Sequence, residues 1–143
     1  MRIERAEPSD VPAVEALLSM AGLPLAGAAE ALETGVVARD GEAVVGAASV
    51  ERYGSAGLLR SVIVAPDRRD AGLGRDLVAA AEALARGEGI RELYLLTETA
   101  IDWFPRLGYA AVPRGEAAAV VGRSIEFTTA CAETAVAMRR ALA

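Results

Sequence analysis

The amino-acid sequence predicts an α/β protein, a mixed sheet of about six or seven strands with helices on its faces. Three observations carry that prediction. Residues Leu58–Ala65, LLRSVIVA, form a near-continuous apolar run, the pattern of a strand buried on both faces. A helical period follows, with Leu73, Leu77, Ala80, Ala81 and Leu84 on one face. Glu92–Thr97, ELYLLT, is then a second strand of the buried type.

The other elements follow in order. MRIERA alternates as a short strand does. Pro8, Ser9 and Asp10 mark a helix start, Val14, Leu17, Leu18 and Ala21 keep helical spacing, and Gly22 stops it. Leu25–Leu32 is a weaker, Ala-rich helix. Gly35–Arg39 and Ala43–Arg52 are strands joined at Asp40-Gly41, a strong hairpin signal. Tyr53–Gly57 is a turn before Leu58, and the long helix ends near Gly87 and Gly89. Thr99–Arg106 is a short helix and Gly108–Val112 a strand. Ala117–Val121 is a turn of helix, and Ala135–Leu142 a last strand whose Ala and Met content also suits a helix.

At 143 residues, the expectation is one domain over 1–143. Apolar residues make up 53% and aromatics only 4%, so the core must be mostly Ala, Val and Leu. No apolar run nears the ~20 residues of a membrane span. The amino terminus, MRIERAEPSD, lacks a signal peptide's apolar stretch, so a soluble, cytoplasmic protein is expected. The lone Cys131 makes neither an intrachain disulfide nor a thiolate cluster. The chain has no His, Lys, Asn or Gln, and all 15 cations are Arg. That excludes a Ser-His-Asp triad, a histidine metal site and a Schiff-base or P-loop lysine, and no metal is expected. Proton transfer is left to Asp, Glu, Tyr, Cys, water or backbone. A net charge of −5 argues against general nucleic-acid binding. An acidic, lysine-free chain suits a high-salt cytoplasm, as it does a GC-rich genome.

One stretch carries chemistry. Val64–Leu77, VAPDRRDAGLGRDL, leaves a strand at Pro66, passes Arg68 and Arg69, and enters a helix through Gly72 and Gly74. A helix start presents unpaired N–H groups and partial positive charge. Glycines let the backbone approach a ligand, and successive amides form a nest for phosphate oxygens. By itself the hexapeptide Arg69–Gly74 also reads as a solvated, glycine-rich helix start. Its context changes the balance, because about thirty residues later comes Ala100–Tyr109, AIDWFPRLGY.

The two motifs together resemble the GNAT N-acetyltransferase superfamily. Its pattern is strand, Val-x-Pro, Arg-x-x-Gly-x-Gly, helix, and later Ala-x-x-aromatic-aromatic-x-x-x-Gly-aromatic. The resemblance is carried by Leu58–Val112, and the element order extends it over nearly the whole chain. The segments LLRSVIV, ELYLLTETA and WFPRLGY look like a subgroup associated with arsenic-resistance genes. LLTETAIDWF is also similar to the acetyltransferase domain of N-acetylglutamate synthases.

The resemblance implies a GNAT fold, with acetyl-CoA lying between splayed parallel strands near residues 58–65 and 92–97. Backbone groups of Val62, Ile63 and Val64 would pair with the pantetheine amides. Amides of Arg69, Asp70, Ala71, Gly72, Leu73, Gly74 and Arg75 would hold the pyrophosphate. Phe104 and Trp103 would lie along the pantetheine or acetyl group, with core packing as the alternative for Trp103.

The chain departs from the family pattern in its catalytic groups. Phe104 stands where many members have the Tyr that protonates the leaving thiolate, and Thr97 replaces a usual Asn. The family's Glu is missing from Leu58-Leu59-Arg60-Ser61. Glu51, with Ser61 as its water-positioning partner, is the first candidate base and Glu98 the second, either acting through a water; the alternative for each is a solvated surface carboxylate. Arg60, a charge inside an apolar strand, either pairs with an acid such as Glu51 or clamps a substrate carboxylate. Arg60, Trp103 and Thr97 are the candidate acceptor contacts. Phe127, Thr128 and Cys131 precede the last strand, where they line the acceptor pocket or pack in the core.

The function expected is transfer of acetyl from acetyl-CoA to the amine of a small amino-acid-like substrate. The partner is a small molecule rather than nucleic acid or membrane, and the protein a monomer or homodimer. The alternative, which the missing Tyr and Glu support, is a non-catalytic acyl-CoA-binding module. Nothing in the sequence favours a protein amino terminus as acceptor.

Overall fold

In a computed structural model, the structure describes residues 1–69, 72–124 and 134–142. The expectations for Asp70, Ala71, Phe127, Thr128 and Cys131 lie outside the described residues. Strand β1 (Arg2–Arg5) leads through a 3-10 turn into α1 (Val11–Met20), then α2 (Ala28–Ala31). Strands β2 (Gly35–Asp40), β3 (Ala43–Tyr53) and β4 (Ala56–Val64) form a meander before α3 (Leu73–Gly87) and β5 (Glu92–Thr97). A 3-10 turn at Phe104–Leu107, β6 (Ala110–Ala111), α4 (Arg114–Val121) and β7 (Val136–Ala141) complete the order. The seven strands make one sheet in the order β1-β2-β3-β4-β5-β7-β6. Every pairing is antiparallel except β4 with β5.

The period-two alternation of strands sorts the core onto two faces. On β2, Val36 and Ala38 join the cluster built on Leu77, Val78, Ala81 and Ala85 of α3. Val37, between them, faces Val14 and Leu18 of α1 and Leu32. Further along that second face, Leu58 and Tyr94 pack with Ala117 and Val121 of α4. No described helix is long and apolar enough to cross a membrane.

Several local expectations change. Of the helix expected over Leu25–Leu32 only Ala28–Ala31 is α-helical, and the turn of helix expected over Ala117–Val121 is the longer α4. The turn expected over Tyr53–Gly57 is shorter, because Gly54, at φ 66°, completes the reversal and Ala56 already pairs with Tyr53. The helix expected over Thr99–Arg106 is only the 3-10 turn at its end. Pro105 has no N–H to give Ile101, and its ring would clash with that carbonyl in an α-helix. The strand expected over Gly108–Val112 has ladder pairs at Ala110 and Ala111, with one further bond from the Val112 N–H to the Ala137 carbonyl at 2.9 Å, before Pro113 ends it. The ambiguous Ala135–Leu142 segment is a strand, paired with β5 from Thr97↔Val136 to Glu92↔Ala141. Pairing on both of its edges outweighs the helix preference of Ala and Met.

One irregularity shapes the site. Ser49 pairs with Arg60 and Ala47 with Ile63, so Ser61 and Val62 together oppose Ala48. This is a β-bulge, and Ser61 takes a left-handed φ of 57° within it. The parallel ladder of β4 with β5 covers only Ala56–Leu58 against Glu92–Tyr94. Beyond it the two strands part.

Candidate active site

The parted strands enclose a cleft of about 920 Å³. One wall is β4 from Leu59 to Val64, and the other is 95–100 with Trp103 and Phe104. The first end holds Arg68, Arg69 and Gly72–Arg75, and the opposite end the α1–α2 connection, Met20–Pro24.

At the first end, Gly72 caps α3 with φ 76°, a left-handed conformation that side chains with a Cβ adopt poorly. Leu73 is buried and anchors the first turn. Arg75 is exposed, its guanidinium 3.2 Å from where a Cβ on Gly72 would lie. Arg69 donates from Nε to the Val64 carbonyl at 3.3 Å, and Arg68 pairs with Asp40. Arg68, Arg69 and Arg75 thus line the same end of the cleft as the N-terminus of α3, a setting that attracts anions.

On the walls, Val62 completes the bulge and Ile63 and Val64 follow it directly. Phe104 is 7% exposed and stacks edge-to-face on Trp103, centroids 4.9 Å apart. The half-buried Trp103 reaches Gly74, where a Cβ would stand 3.2 Å from its indole ring. Gly74 is therefore small because an aromatic lies over the helix start. The Thr97 hydroxyl accepts the Ala100 N–H at 3.0 Å and shapes the turn leaving β5.

The acid and base candidates separate in space. Glu98 is exposed on the cleft wall, accepting the Thr134 hydroxyl at 2.9 Å. Among the described residues it is the one carboxylate that lines the cleft. Glu51 lies outside it, on a smaller depression with Glu30 and Glu33. Its Oε2 is 2.7 Å from Arg60 Nη1, and its Oε1 accepts the Tyr53 hydroxyl at 2.8 Å. Burial, and then Glu51, push the Tyr53 phenol up to about 12, which keeps it a proton donor.

Arg60 bridges the two regions. Its side chain is wholly buried, as Glu51's nearly is. Nε donates to Ser61 Oγ at 3.4 Å and Nη2 to the Pro24 carbonyl at 3.3 Å. The pairing of Arg60 with Glu51, one of the two readings of its sequence position, is the arrangement present. The Ser61 hydroxyl faces Arg60 and lines the cleft.

Sequence reasoning missed the Met20–Pro24 end, because a loop after a helix carries no signal of where it will pack. It also missed the partners of Tyr109. There a signal existed, since Glu82 interrupts the apolar stripe Val78, Ala81, Ala85.

The model of the Acetyltransferase (GNAT) domain family matches residues 31–111. N-acetylglutamate synthase from Neisseria gonorrhoeae, complexed with coenzyme A and N-acetyl-glutamate, is 22% identical with a TM-score of 0.84. That likeness covers 99% of this chain and 35% of the synthase. Rv2747 from Mycobacterium tuberculosis, in complex with CoA and NLQ, is 21% identical with a TM-score of 0.78, over 100% of both chains. An aminoglycoside 6'-N-acetyltransferase complexed with coenzyme A is 17% identical with a TM-score of 0.71, over 100% of this chain and 98% of its own. At these identities the solved structures establish a shared fold. A search of curated proteins found no match.

Proposed function

The chain belongs to the GNAT family of N-acetyltransferases, and on that premise we propose that it moves the acetyl group of acetyl-CoA to the amine of a small amino-acid-like substrate. The observation that carries this reading is the cleft between the parted strands β4 and β5, lined by arginines at the α3 end and bearing, among the described residues, one carboxylate, Glu98. In this reading the amides between Arg69 and Arg75 bind the pyrophosphate, with Arg69 and Arg75 beside them. Backbone groups of Val62, Ile63 and Val64 align the pantetheine by strand addition. Phe104 and Trp103 hold its thioester end against β5.

The chemistry is direct attack. The amine nitrogen bonds to the thioester carbonyl carbon, and the C–S bond breaks. A backbone N–H on β4 stabilises the carbonyl oxygen as charge develops there. The ammonium proton leaves through water to Glu98, and the departing thiolate takes a proton from solvent, since Phe104 has none to give. Glu98 takes precedence over Glu51 as base, because both Glu51 oxygens are engaged and the carboxylate lies behind Arg60. Glu51 is then the counterion that fixes Arg60 under the acceptor.

The amino-acid-like acceptor is supported by the likeness to a synthase complexed with N-acetyl-glutamate and by the LLTETAIDWF segment. An acceptor carboxylate would compete with the Pro24 carbonyl for Arg60 Nη2, whose 3.3 Å contact is at the long end of hydrogen bonding. The finer kinship with the arsenic-resistance-associated subgroup rests on the three sequence segments alone.

The test is thiol release from acetyl-CoA in the presence of a broad panel of amino acids and small amines. Turnover is expected with at least one amino acid. Replacing Glu98→Gln should lower kcat/KM by about 100-fold while CoA affinity holds. CoA binding with no turnover across the panel would overturn the proposal.

A further inference from the structure

Glu82 is the one charged residue among the buried positions of α3. Its carboxylate is held by Arg140 Nη1, 2.8 Å from both oxygens, and accepts the Tyr109 hydroxyl at 2.8 Å. Burial, and then the Glu82 charge, hold that phenol far above the usual tyrosine range, so it stays a donor. Arg140 also passes Gly108, where a Cβ would sit 3.1 Å from Nε and where φ is 98°. The glycine of the Gly-aromatic motif is thus required both by its backbone and by the arginine beside it.

Tyr109 continues inward. Its ring meets Phe104 edge-to-face at 5.7 Å, Phe104 meets Trp103 at 4.9 Å, and Trp103 lies against Gly74 at the cleft. Stability alone does not call for this arrangement. A well-packed hydrocarbon at position 82 would serve a core as well as a buried ion pair does. What the carboxylate adds is direction: a hydrogen bond sets the depth and rotation of the phenol, which an apolar contact leaves free.

We propose that Glu82 is a positioning residue for acetyl-CoA, acting through the Tyr109 hydroxyl on the Tyr109–Phe104–Trp103 stack and so on the cleft wall beside Gly74. The inference rests on the acetyltransferase reading of the cleft. Glu82 touches neither substrate; it sets where the aromatic wall stands.

The experiment compares wild type with Tyr109→Phe and Glu82→Gln. Trp103 is the one tryptophan in the chain, so its emission reports the wall directly. In both variants the KM for acetyl-CoA should rise about tenfold, with kcat and the amine KM within about twofold. The Trp103 emission of the free protein should shift, and its response to added CoA should shrink. A folded variant with unchanged acetyl-CoA KM and unchanged Trp103 emission makes the network merely structural and sinks the proposal. Tyr109→Phe leaves the Glu82–Arg140 pair intact and carries the test if Glu82→Gln does not fold. Wild-type protein that shows no CoA binding by calorimetry removes the acetyltransferase reading instead, which keeps the two failures distinct.

Discussion

Arg60 and Glu51 show how a single residue pair ties scaffold to site. A guanidinium with no exposed surface is tolerable only with its charge answered, and Glu51 answers it at 2.7 Å. Removing one partner leaves the other charge buried, so Arg60→Met should cost about 3–5 kcal/mol. Adding Glu51→Gln should recover much of that loss, since Gln still accepts the Tyr53 hydroxyl but carries no charge. Urea unfolding of both singles and the double checks this, and additive losses would rule out the coupling. The sequence flagged Arg60 as a charge in an apolar strand. It could not decide between an acid and a substrate as partner, because strand pairing places Glu51 opposite Leu58, two residues from Arg60.

At the scale of elements, the start of α3 concentrates the determinants of cofactor binding. Gly72 sits at φ 76°, where a β-branched residue is strained and the Arg75 side chain would be crowded. Gly72→Val should raise the Kd for CoA about tenfold with a modest loss of stability. Calorimetric titration measures it, and unchanged affinity in a folded variant would separate this loop from the pyrophosphate. The strand-helix-strand core from β4 to β5 was legible because burial on both faces and a clean helical period leave few alternatives. The 99–106 segment was not, because Pro105 and the Thr97 hydroxyl reshape it locally. Nor was the bulge at Ser61, since nothing in LLRSVIV marks a residue for left-handed backbone.

For the whole molecule, the titrating groups with displaced pKa values set a stability window. Tyr53 is pushed up to about 12 by burial and Glu51, and Tyr94 and Tyr109 are raised too, burial being the first cause in each. Folding favours their neutral forms. Their contribution is therefore complete below the ordinary value of 10.0 and is lost as pH rises through the folded values. Asp10 moves the other way, lowered chiefly by its hydrogen bond from Arg39. Its contribution is present above 3.8 and is lost as pH falls through the folded value. With no histidine in the chain, thermal stability should be nearly flat from about pH 5 to 9 and fall on both sides. Circular-dichroism melts across that range test it, and a steep slope inside the plateau would contradict the assignment.

By itself, the sequence determined the strand and helix order from β1 to β5, the glycine-rich entry to α3 and the exclusion of histidine and lysine chemistry. These are properties of short segments or of composition, and need no knowledge of which segments meet. Only the tertiary structure decided that β4 and β5 part beyond Leu58, that Glu98 and not Glu51 faces the cleft, and that Glu82 holds Tyr109 behind the aromatic wall. Each of those depends on residues brought together from separate elements, and their meeting is set by strand pairing and helix packing rather than by spacing along the chain.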